Sequence, residues 1–352
     1  MVEQGKLALD DKLTKWFPQI PSSEIISLAQ ILNHSSGIHS FDDEMNDNDF
    51  HSWIYQSQSK DFLIQKISSY PLDFIPGTKN VYSNTGYTLL GYIIEKTLNQ
   101  SFKEALKQMI ANPLKLQNTY YAETIDTSLN EVFSYIKKNG WSKWPSVHLS
   151  IAGAAGSIIS TSSDISLFYN AVFGGKLINQ SSLEYLIKTG SGFNKQEDFG
   201  GFYGTTGRVD KYFSNVSYFI KDSTSISVCL NGMNYPFGQI FFSMASIYFN
   251  EQFVFPDFTP IIPKTDSLKS LIGKFQLRNG TIAKIFIKKD QLYFDMDLNG
   301  YQKLPLVSLK NGWLLNDQEG IILTVGKDKN NLITHLTMYQ SNQTLRLEKM
   351  KD

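Results

Sequence analysis

Before residue 255 the chain mixes apolar spacings that are typical of helices with spacings that are typical of strands. TGYTLLGYIIEKTLN places Leu90, Ile94 and Leu98 at helical spacing and predicts an amphipathic helix. SLAQILNHSSG predicts a helix with Ser27 as its N-cap, and SSDISLFYNAVFGG predicts one that ends at glycine. VSYFIKD and SISVCLN alternate and predict paired strands. This part is therefore predicted to be a mixed helix-and-sheet domain.

Towards the C-terminus nearly every apolar residue alternates with a polar one, in runs such as AKIFIKKDQLYFD and GIILTVGKDKNN. Turn pairs such as Asn311-Gly312 separate the runs, which predicts roughly eight antiparallel strands in a small barrel or sandwich. The preceding stretch FVFPDFTPIIPKTDS holds three of the eleven prolines, and its apolar residues show neither helical nor strand spacing. We therefore expect a first domain over residues 1–254, a linker over 255–267 and a lipocalin-like antiparallel β-barrel over 268–352.

The composition narrows the range of partners. The 352 residues include 33 basic and 33 acidic side chains, and this zero net charge gives no electrostatic reason to bind nucleic acid or an anionic membrane. The single cysteine, Cys229, excludes an internal disulfide and is predicted to be a buried strand thiol. No run reaches the roughly 18 apolar residues of a membrane span, so we expect no transmembrane segment. The first residues, MVEQGKLALDDKL, lack the apolar region of a signal peptide.

A polar triplet, Tyr82-Ser83-Asn84, stands at the start of the predicted helix in FIPGTKNVYSNTGYTLLGYIIEK. Taken alone, Ser83 or Asn84 would cap the helix and Tyr82 would pack in the core. The five histidines are not at metal-ligand spacing, and the chain has no His-Glu-x-x-His, Gly-x-Ser-x-Gly or P-loop motif. We therefore predict no metal and no cofactor, and we interpret His34 as a hydrogen-bonding residue at a helix end.

Four stretches in order carry a family resemblance: GKLALDDKL, LAQILNHSSGI, FIPGTKNVYSNTGYTLLGYIIEK and AGAAGSIISTSSDISLFYNAVF. They resemble the serine β-lactamase-related family, which includes class C β-lactamases, D-alanyl-D-alanine carboxypeptidases and related esterases. LIGKFQLRNG is similar to the start of the accessory barrel in many members. The resemblance implies an α+β fold of β-lactamase/transpeptidase type, an antiparallel sheet flanked by helices and here N-terminally incomplete, followed by a small all-β barrel.

The resemblance also implies acyl-serine chemistry on a small-molecule or peptide substrate, namely a small ester, an amide or a D-amino-acid peptide. In the family a Ser-x-x-Lys motif supplies the nucleophile, and the tyrosine of a Tyr-x-Asn motif shares the proton transfers. Tyr82 would then be the acid/base and Asn84 the positioning amide. The full-length parent is expected in the periplasm or outside the cell, whereas the chain as written is expected in the cytoplasm. The oligomeric state stays open.

The nucleophile motif is missing from its expected place, because in the family it precedes the stretch that here begins at Met1. Ser-x-x-Lys occurs elsewhere at Ser57–Lys60, in a polar stretch, and at Ser134–Lys137, after the Tyr-Ser-Asn triplet. Because neither match stands in the family's order, we expect both to be surface residues.

The third family motif, often Lys-Thr-Gly or His-x-Gly on an edge strand, has two candidates. Lys188–Gly190 is a literal match, but it ends a predicted helix. Thr205, Thr206 and Gly207 precede two strand-like runs and lie before Asn231 at a spacing similar to the family's. We favour Thr205, Thr206 and Gly207 as the substrate-binding motif and leave the other candidate open. This choice puts Thr205 where the family has a cation.

These departures predict that the chain is inactive. Only about one tyrosine in a thousand is ionised at pH 7, so Tyr82 needs nearby positive charge to act as a base. Three explanations stay open: a truncated serine hydrolase, a pseudoenzyme that binds a ligand in the cleft, or a different chemistry in the same cleft. The abrupt start favours truncation, and Thr205 favours the pseudoenzyme. Truncation should also leave the helix from Gly86 to Leu98 without a packing partner.

Overall fold

A computed structural model describes residues 1–41, 52–137, 140–253, 255–262, 265–296, 301–340 and 343–350. The chain folds into two compact units. The first comprises residues 1–133, 145–210 and 214–229, and the second comprises residues 134–144, 211–213 and 230–352. The two units are defined by which segments pack together, whereas the linker is predicted from its amino-acid composition. The linker at residues 255–267 therefore stays a prediction.

The helices of the described residues vary from one turn to four turns. In chain order they are α1 Leu28–Leu32, α2 Lys60–Ser69, α3 Asn84–Leu98, α4 Phe102–Leu106, α5 Asn112–Leu114, α6 Ser162–Phe173, α7 Gln180–Thr189, α8 Phe237–Tyr248 and α9 Thr265–Leu271. The helix α9 begins inside the predicted linker. No helix in the described ranges combines the length and apolarity that a bilayer span requires.

The strands form one small sheet, two short pairs and a barrel. They are β1 Tyr120–Tyr121, β2 Tyr135–Lys137, β3 Trp141–Lys143, β4 Ile158–Ile159, β5 Asn194–Gln196, β6 Phe202–Val209, β7 Tyr212–Phe219, β8 Thr224–Leu230, β9 Gly273–Gln276, β10 Ile282–Lys288, β11 Gln291–Met296, β12 Tyr301–Ser308, β13 Leu314–Asn316, β14 Ile321–Lys327, β15 Ile333–Gln340 and β16 Gln343–Lys349.

The helices α1 and α3 begin at serine caps, as the sequence predicts. The Ser27 hydroxyl accepts from the Gln30 amide, and the Gln30 side chain accepts from the Ser27 amide at 2.9 Å, which completes a capping box. The Ser83 hydroxyl accepts from the Gly86 amide at 3.3 Å and starts α3. Both caps fix where the loop before the helix ends.

The helix α3 is a central element of the first unit. Leu89 and Ile93 are fully buried in an apolar cluster of that unit. Two glycines admit close neighbours, since a Cβ on Gly86 would lie 3.1 Å from Ile31 of α1 and one on Gly91 would overlap Ala154. The expectation that α3 lacks a packing partner is wrong for the face that carries Leu89 and Ile93, whereas the predicted apolar positions Leu90, Ile94 and Leu98 are only partly buried.

The sheet of the first unit has the strand order β5-β6-β7-β8. The described part of β5 pairs with β6 only over Phe202–Gly204, so the rest of β6 extends beyond its neighbour on that side. Cys229 lies on β8 and is exposed. The prediction of a buried thiol is wrong: side chains alternate between the two faces of a strand, and Cys229 points to the opposite face from the partly buried Val228 and Leu230.

In the second unit, eight antiparallel strands from β9 to β16 close into a barrel, with β9 between β10 and β16. One face of each strand points inward, and large apolar side chains fill the interior. Fully buried examples are Phe275, Phe294, Ile321, Leu323, Leu336 and Leu347. The helix α8 packs against β15. The predicted class, a helix-and-sheet domain with a small all-β barrel, is confirmed.

Candidate active site

Tyr82 and Asn84 meet at the N-terminus of α3. The Tyr82 hydroxyl donates to the Asn84 side-chain oxygen at 2.9 Å. Ser83 between them is 4% exposed, whereas Tyr82 is 66% exposed. The interpretation of Tyr82 as a core residue is therefore wrong. The physical reason is local: Ser83 has an extended backbone and turns inward as the cap, so its neighbours point the other way.

The loop from Asn33 to Phe41, which we call the His34 loop, holds this triplet in place. The Ser83 amide donates to His34 Nδ1 at 3.2 Å, and the Asn84 amide donates to the Ser40 hydroxyl at 3.0 Å. The Val81 amide donates to the His34 carbonyl at 2.9 Å. Successive backbone amides of the triplet are therefore bound by one loop, which fixes the direction of both polar side chains.

The His34 loop is itself supported by the segment before the triplet. The Asp73 amide donates to the Gly37 carbonyl at 2.9 Å, and the Gly77 amide donates to the Ser35 carbonyl at 2.8 Å. Gly37 has a φ of 74°, and a Cβ there would overlap the Phe74 carbonyl oxygen. Only glycine satisfies both conditions.

His34 lies between two tyrosine rings. Its ring centroid is 4.6 Å from that of Tyr82 and 4.9 Å from that of Tyr87, which stacks on it. Burial lowers the pKa of His34 below its ordinary value. Burial also raises the pKa of Tyr87 to about 12, and its hydroxyl donates to the Leu32 carbonyl. The interpretation of His34 as a hydrogen-bonding residue at a helix end is confirmed.

The two candidates for the third motif lie on different kinds of element. Thr205, Thr206 and Gly207 lie on β6, where Thr206 and Gly207 are exposed. Lys188–Gly190 closes α7, and Gly190 takes the left-handed conformation of a C-cap. The Thr189 hydroxyl donates to the Tyr185 carbonyl within that helix end. The assignment of Thr205, Thr206 and Gly207 to substrate binding stays a prediction.

A path of packing contacts connects the triplet's helix to β6. Gly91 of α3 lies against Ala154, and a Cβ on Gly156 would be 3.3 Å from Val209 at the end of β6. The Thr88 hydroxyl donates to the Ala152 carbonyl at 3.2 Å. Residues 152–156 thus lie between the helix that carries Asn84 and the strand that carries Thr206.

In both Ser-x-x-Lys matches the lysine is paired with a carboxylate. Ser57 and Lys60 are exposed as predicted, and Lys60 binds Glu95. Lys137 lies 2.8 Å from Asp317. The prediction that Ser134 is a surface residue is wrong: it is fully buried because the chain pairs on both sides of it. The Trp144 amide donates to the Ser134 carbonyl, and the Tyr135 amide donates to the Asn231 carbonyl.

Sequence reasoning missed two residues that shape the site. Ser40 accepts from the Asn84 amide, and the Thr85 hydroxyl accepts from the Phe41 amide at 3.0 Å. The polar run NHSSGIHS after α1 is the pattern that could have pointed to them, because small hydroxyl side chains there can accept backbone amides. The part of the chain that the structure describes contains no group of three metal-ligating side chains.

The chain resembles known proteins over most of its length. Putative penicillin-binding protein PbpX from Bacillus subtilis (strain 168) is 25% identical over 247 residues, which are 68% of this chain and 59% of PbpX. The D-stereospecific amidohydrolase from Streptomyces sp. is 26% identical with a TM-score of 0.57, over 66% of this chain and 76% of that one. The chain spans less than two thirds of the length of the curated relatives it matches.

One similar solved structure aligns with nearly the whole chain, including residues of both units. The octameric penicillin-binding protein homologue from Pyrococcus abyssi has a TM-score of 0.60 at 20% identity, over 99% of this chain and 84% of that one. This likeness shows the fold. The sequence profile described as Beta-lactamase matches residues 1–240 of the 352. The chain therefore belongs to the Beta-lactamase family, and its relatives include a putative penicillin-binding protein and putative D-alanyl-D-alanine carboxypeptidases.

Proposed function

We propose that Tyr82 and Asn84 form the proton-transfer and substrate-orienting part of a β-lactamase-type serine hydrolase site. The substrate class is a small amide or peptide that contains a D-amino acid. The observation that carries the proposal is the 2.9 Å hydrogen bond from the Tyr82 hydroxyl to Asn84. This bond aims an exposed phenol away from the core at the end of a buried helix. A D-stereospecific amidohydrolase among the similar structures supports the substrate class.

The proton chemistry of such a site depends on the phenol's direction. Acyl transfer to a serine requires a group that takes the serine proton and later returns it to the leaving group. In the neutral state, the Tyr82 phenol carries its proton and donates it to the Asn84 oxygen, so it cannot take a second proton. In a complete site Tyr82 would take the serine proton as the phenolate and return it to the leaving group, while Asn84 would hold the ring oxygen in one orientation.

We further propose that these 352 residues do not turn over substrate by themselves. A lysine activates a serine only where its amine lies within hydrogen-bonding reach of the serine hydroxyl. Lys60 and Lys137, the lysines of the two Ser-x-x-Lys matches, are paired with Glu95 and Asp317. Neither match therefore provides a serine activated by its lysine. The chain should bind a ligand without acylation.

A second candidate function is a pseudoenzyme that uses the site only for binding. The observation that favours it is the place of Thr205 on β6, the strand that we propose carries the third family motif, with a threonine where the family has a cation. A neutral hydroxyl cannot form an ion pair with a substrate carboxylate, so binding would depend on hydrogen bonds. This candidate and a hydrolase whose Ser-x-x-Lys motif does not lie in these residues give the same expectation for the chain alone.

The test combines adduct detection with binding. We expect mass spectrometry of the purified chain to show no adduct after incubation with benzylpenicillin or a fluorophosphonate. Ligand-observed NMR should show binding of D-alanyl-D-alanine but not of L-alanyl-L-alanine. Tyr82→Phe should weaken D-alanyl-D-alanine binding roughly two- to tenfold, the usual net value of one hydrogen bond.

Tyr55→Phe is the matched control, since Tyr55 is 45% exposed and lies on a different segment. It should leave binding unchanged. A stable adduct on any serine of the chain would refute the proposed lack of turnover. Equal binding of the D- and L-dipeptides would refute the proposed substrate class.

A further inference from the structure

The His34 imidazole contacts the tyrosine of the triplet through its ring and the triplet's backbone through its nitrogen. Nδ1 accepts from the Ser83 amide at 3.2 Å, and the ring lies 4.6 Å from the Tyr82 ring. The residue has a φ of 60°, an uncommon conformation for a side chain other than glycine. Such a conformation persists only where surrounding contacts determine it.

We propose that neutral His34 is the positioning residue for Tyr82, holding the phenol's orientation through the Ser83 amide and the ring contact. The inference rests on the proposed function for the role of Tyr82. The contacts that carry it are independent of that role. It assigns to His34 a part in the site beyond that of ending α1.

The hydrogen bond requires one protonation state of the imidazole. A neutral imidazole has one acceptor nitrogen, and Nδ1 uses it for the Ser83 amide, so the proton lies on Nε2. In the imidazolium both nitrogens carry hydrogen, and Nδ1–H would point at the Ser83 N–H. Protonation therefore replaces an attraction by a repulsion at the residue between Tyr82 and Asn84.

Among the residues that the structure describes, none of the groups packed against the imidazole is a carboxylate that could balance a positive charge. The described titratable groups that face it are the phenols of Tyr82, from the segment before α3, and Tyr87, from α3 itself. In its own loop, the backbone carbonyl of His34 already accepts a hydrogen bond from the Val81 amide. Burial lowers the pKa of His34 below the ordinary 6.5, in agreement with this arrangement.

The arrangement should therefore depend on pH in one direction. A group with a lowered pKa in the folded state contributes its full stability above the unfolded value near 6.5. That contribution is lost as the pH falls through the lower folded value. The triplet should be held in place above this range and released below it.

The experiment is NMR of the full chain labelled with ¹⁵N and with ¹³Cζ-tyrosine, titrated from pH 8 to pH 4. Tyr82→Phe assigns the Tyr82 ¹³Cζ signal. In the natural sequence the Tyr82 ¹³Cζ and Ser83 amide signals should shift together, with one midpoint below 6.5. His34→Asn keeps an acceptor near the Nδ1 position but does not titrate, so both shifts should disappear.

His34→Phe keeps a ring and removes the acceptor. It should speed exchange of the Ser83 amide roughly two- to tenfold at every pH, the value of one lost hydrogen bond. His148→Asn is the matched control, because His148 Nδ1 also accepts a backbone amide, that of Ser150, at another helix start. It should leave the Tyr82 shift unchanged.

Each outcome decides the inference. Tyr82 and Ser83 signals that do not change with pH in the natural sequence would overturn it, and this result needs no variant to fold. A Tyr82 shift that persists in His34→Asn would also overturn it. Failure of D-alanyl-D-alanine to bind would contradict the proposed function alone, because the titration requires no ligand.

Discussion

Replacing Gly37 by alanine should lower the free energy of unfolding by roughly 2–5 kcal/mol, because two costs add at this position. The first is the left-handed backbone, since φ is 74°. The second is steric, because the new Cβ would overlap the Phe74 carbonyl oxygen and backbone cannot move aside as a flexible side chain can. Urea unfolding followed by circular dichroism measures the loss as a change in midpoint.

Gly5→Ala is the control that separates the two costs. Gly5 has a similar φ of 65°, but a Cβ there would have no heavy atom within 4 Å. It should therefore show only the backbone cost, about 1–2 kcal/mol. Equal losses of stability in the two variants would show that the collision with Phe74 contributes little. In Gly37→Ala the Ser83 amide should also lose protection, because Gly37 is part of the His34 loop.

Replacing Leu323 by alanine should destabilise the barrel by roughly 2–5 kcal/mol, the range for leucine truncation in a packed core. Leu323 lies on β14, is fully buried and belongs to the cluster that fills the barrel. Removing its side chain leaves a void in the interior. Because the strands form a closed barrel, they cannot easily move together to fill it. Hydrogen exchange of barrel amides measures the effect in the second unit without assuming that the two units unfold together.

Leu332→Ala makes the same chemical change on the surface of that unit. Leu332 is 63% exposed, so its truncation should change stability by no more than about 0.5 kcal/mol. Equal effects of the two variants would mean that the barrel interior relaxes around the missing side chain, contrary to the packed cluster described above.

The barrel could be predicted from sequence because each of its strands buries one face. Alternation then appears in every run, and the count of roughly eight strands follows from the turns between them. The caps at Ser27 and Ser83 could be predicted for a similar reason, since a cap depends on a side chain and an amide three residues away.

The helix α3 shows where such reasoning ends. Its period is visible in the sequence, but Leu90 and Ile94 are only partly covered while Leu89 and Ile93 are fully buried. The buried face is chosen by the elements that approach Gly86 and Gly91, and the sequence spacing alone does not contain that information.

The candidate site could be predicted in its residue types but not in its geometry. Tyr82 and Asn84 follow from the family pattern, whereas the exposure of Tyr82 follows from the inward turn of Ser83. The bonds from the triplet's backbone to His34 and Ser40 join residues more than 40 positions apart. Ser134 illustrates the same limit, because the chain around it pairs with Trp144 and with Asn231, which lies almost 100 positions away.

The filled interior of the barrel limits where the strands β9 to β16 could bind another molecule. Some eight-stranded barrels carry a small guest molecule in a central lumen. Here the described side chains Phe275, Phe294 and Leu336 occupy that volume. Any molecule recognised by these strands must therefore meet the rim or the outer wall, and opening a guest chamber would require smaller residues at several inward positions at once.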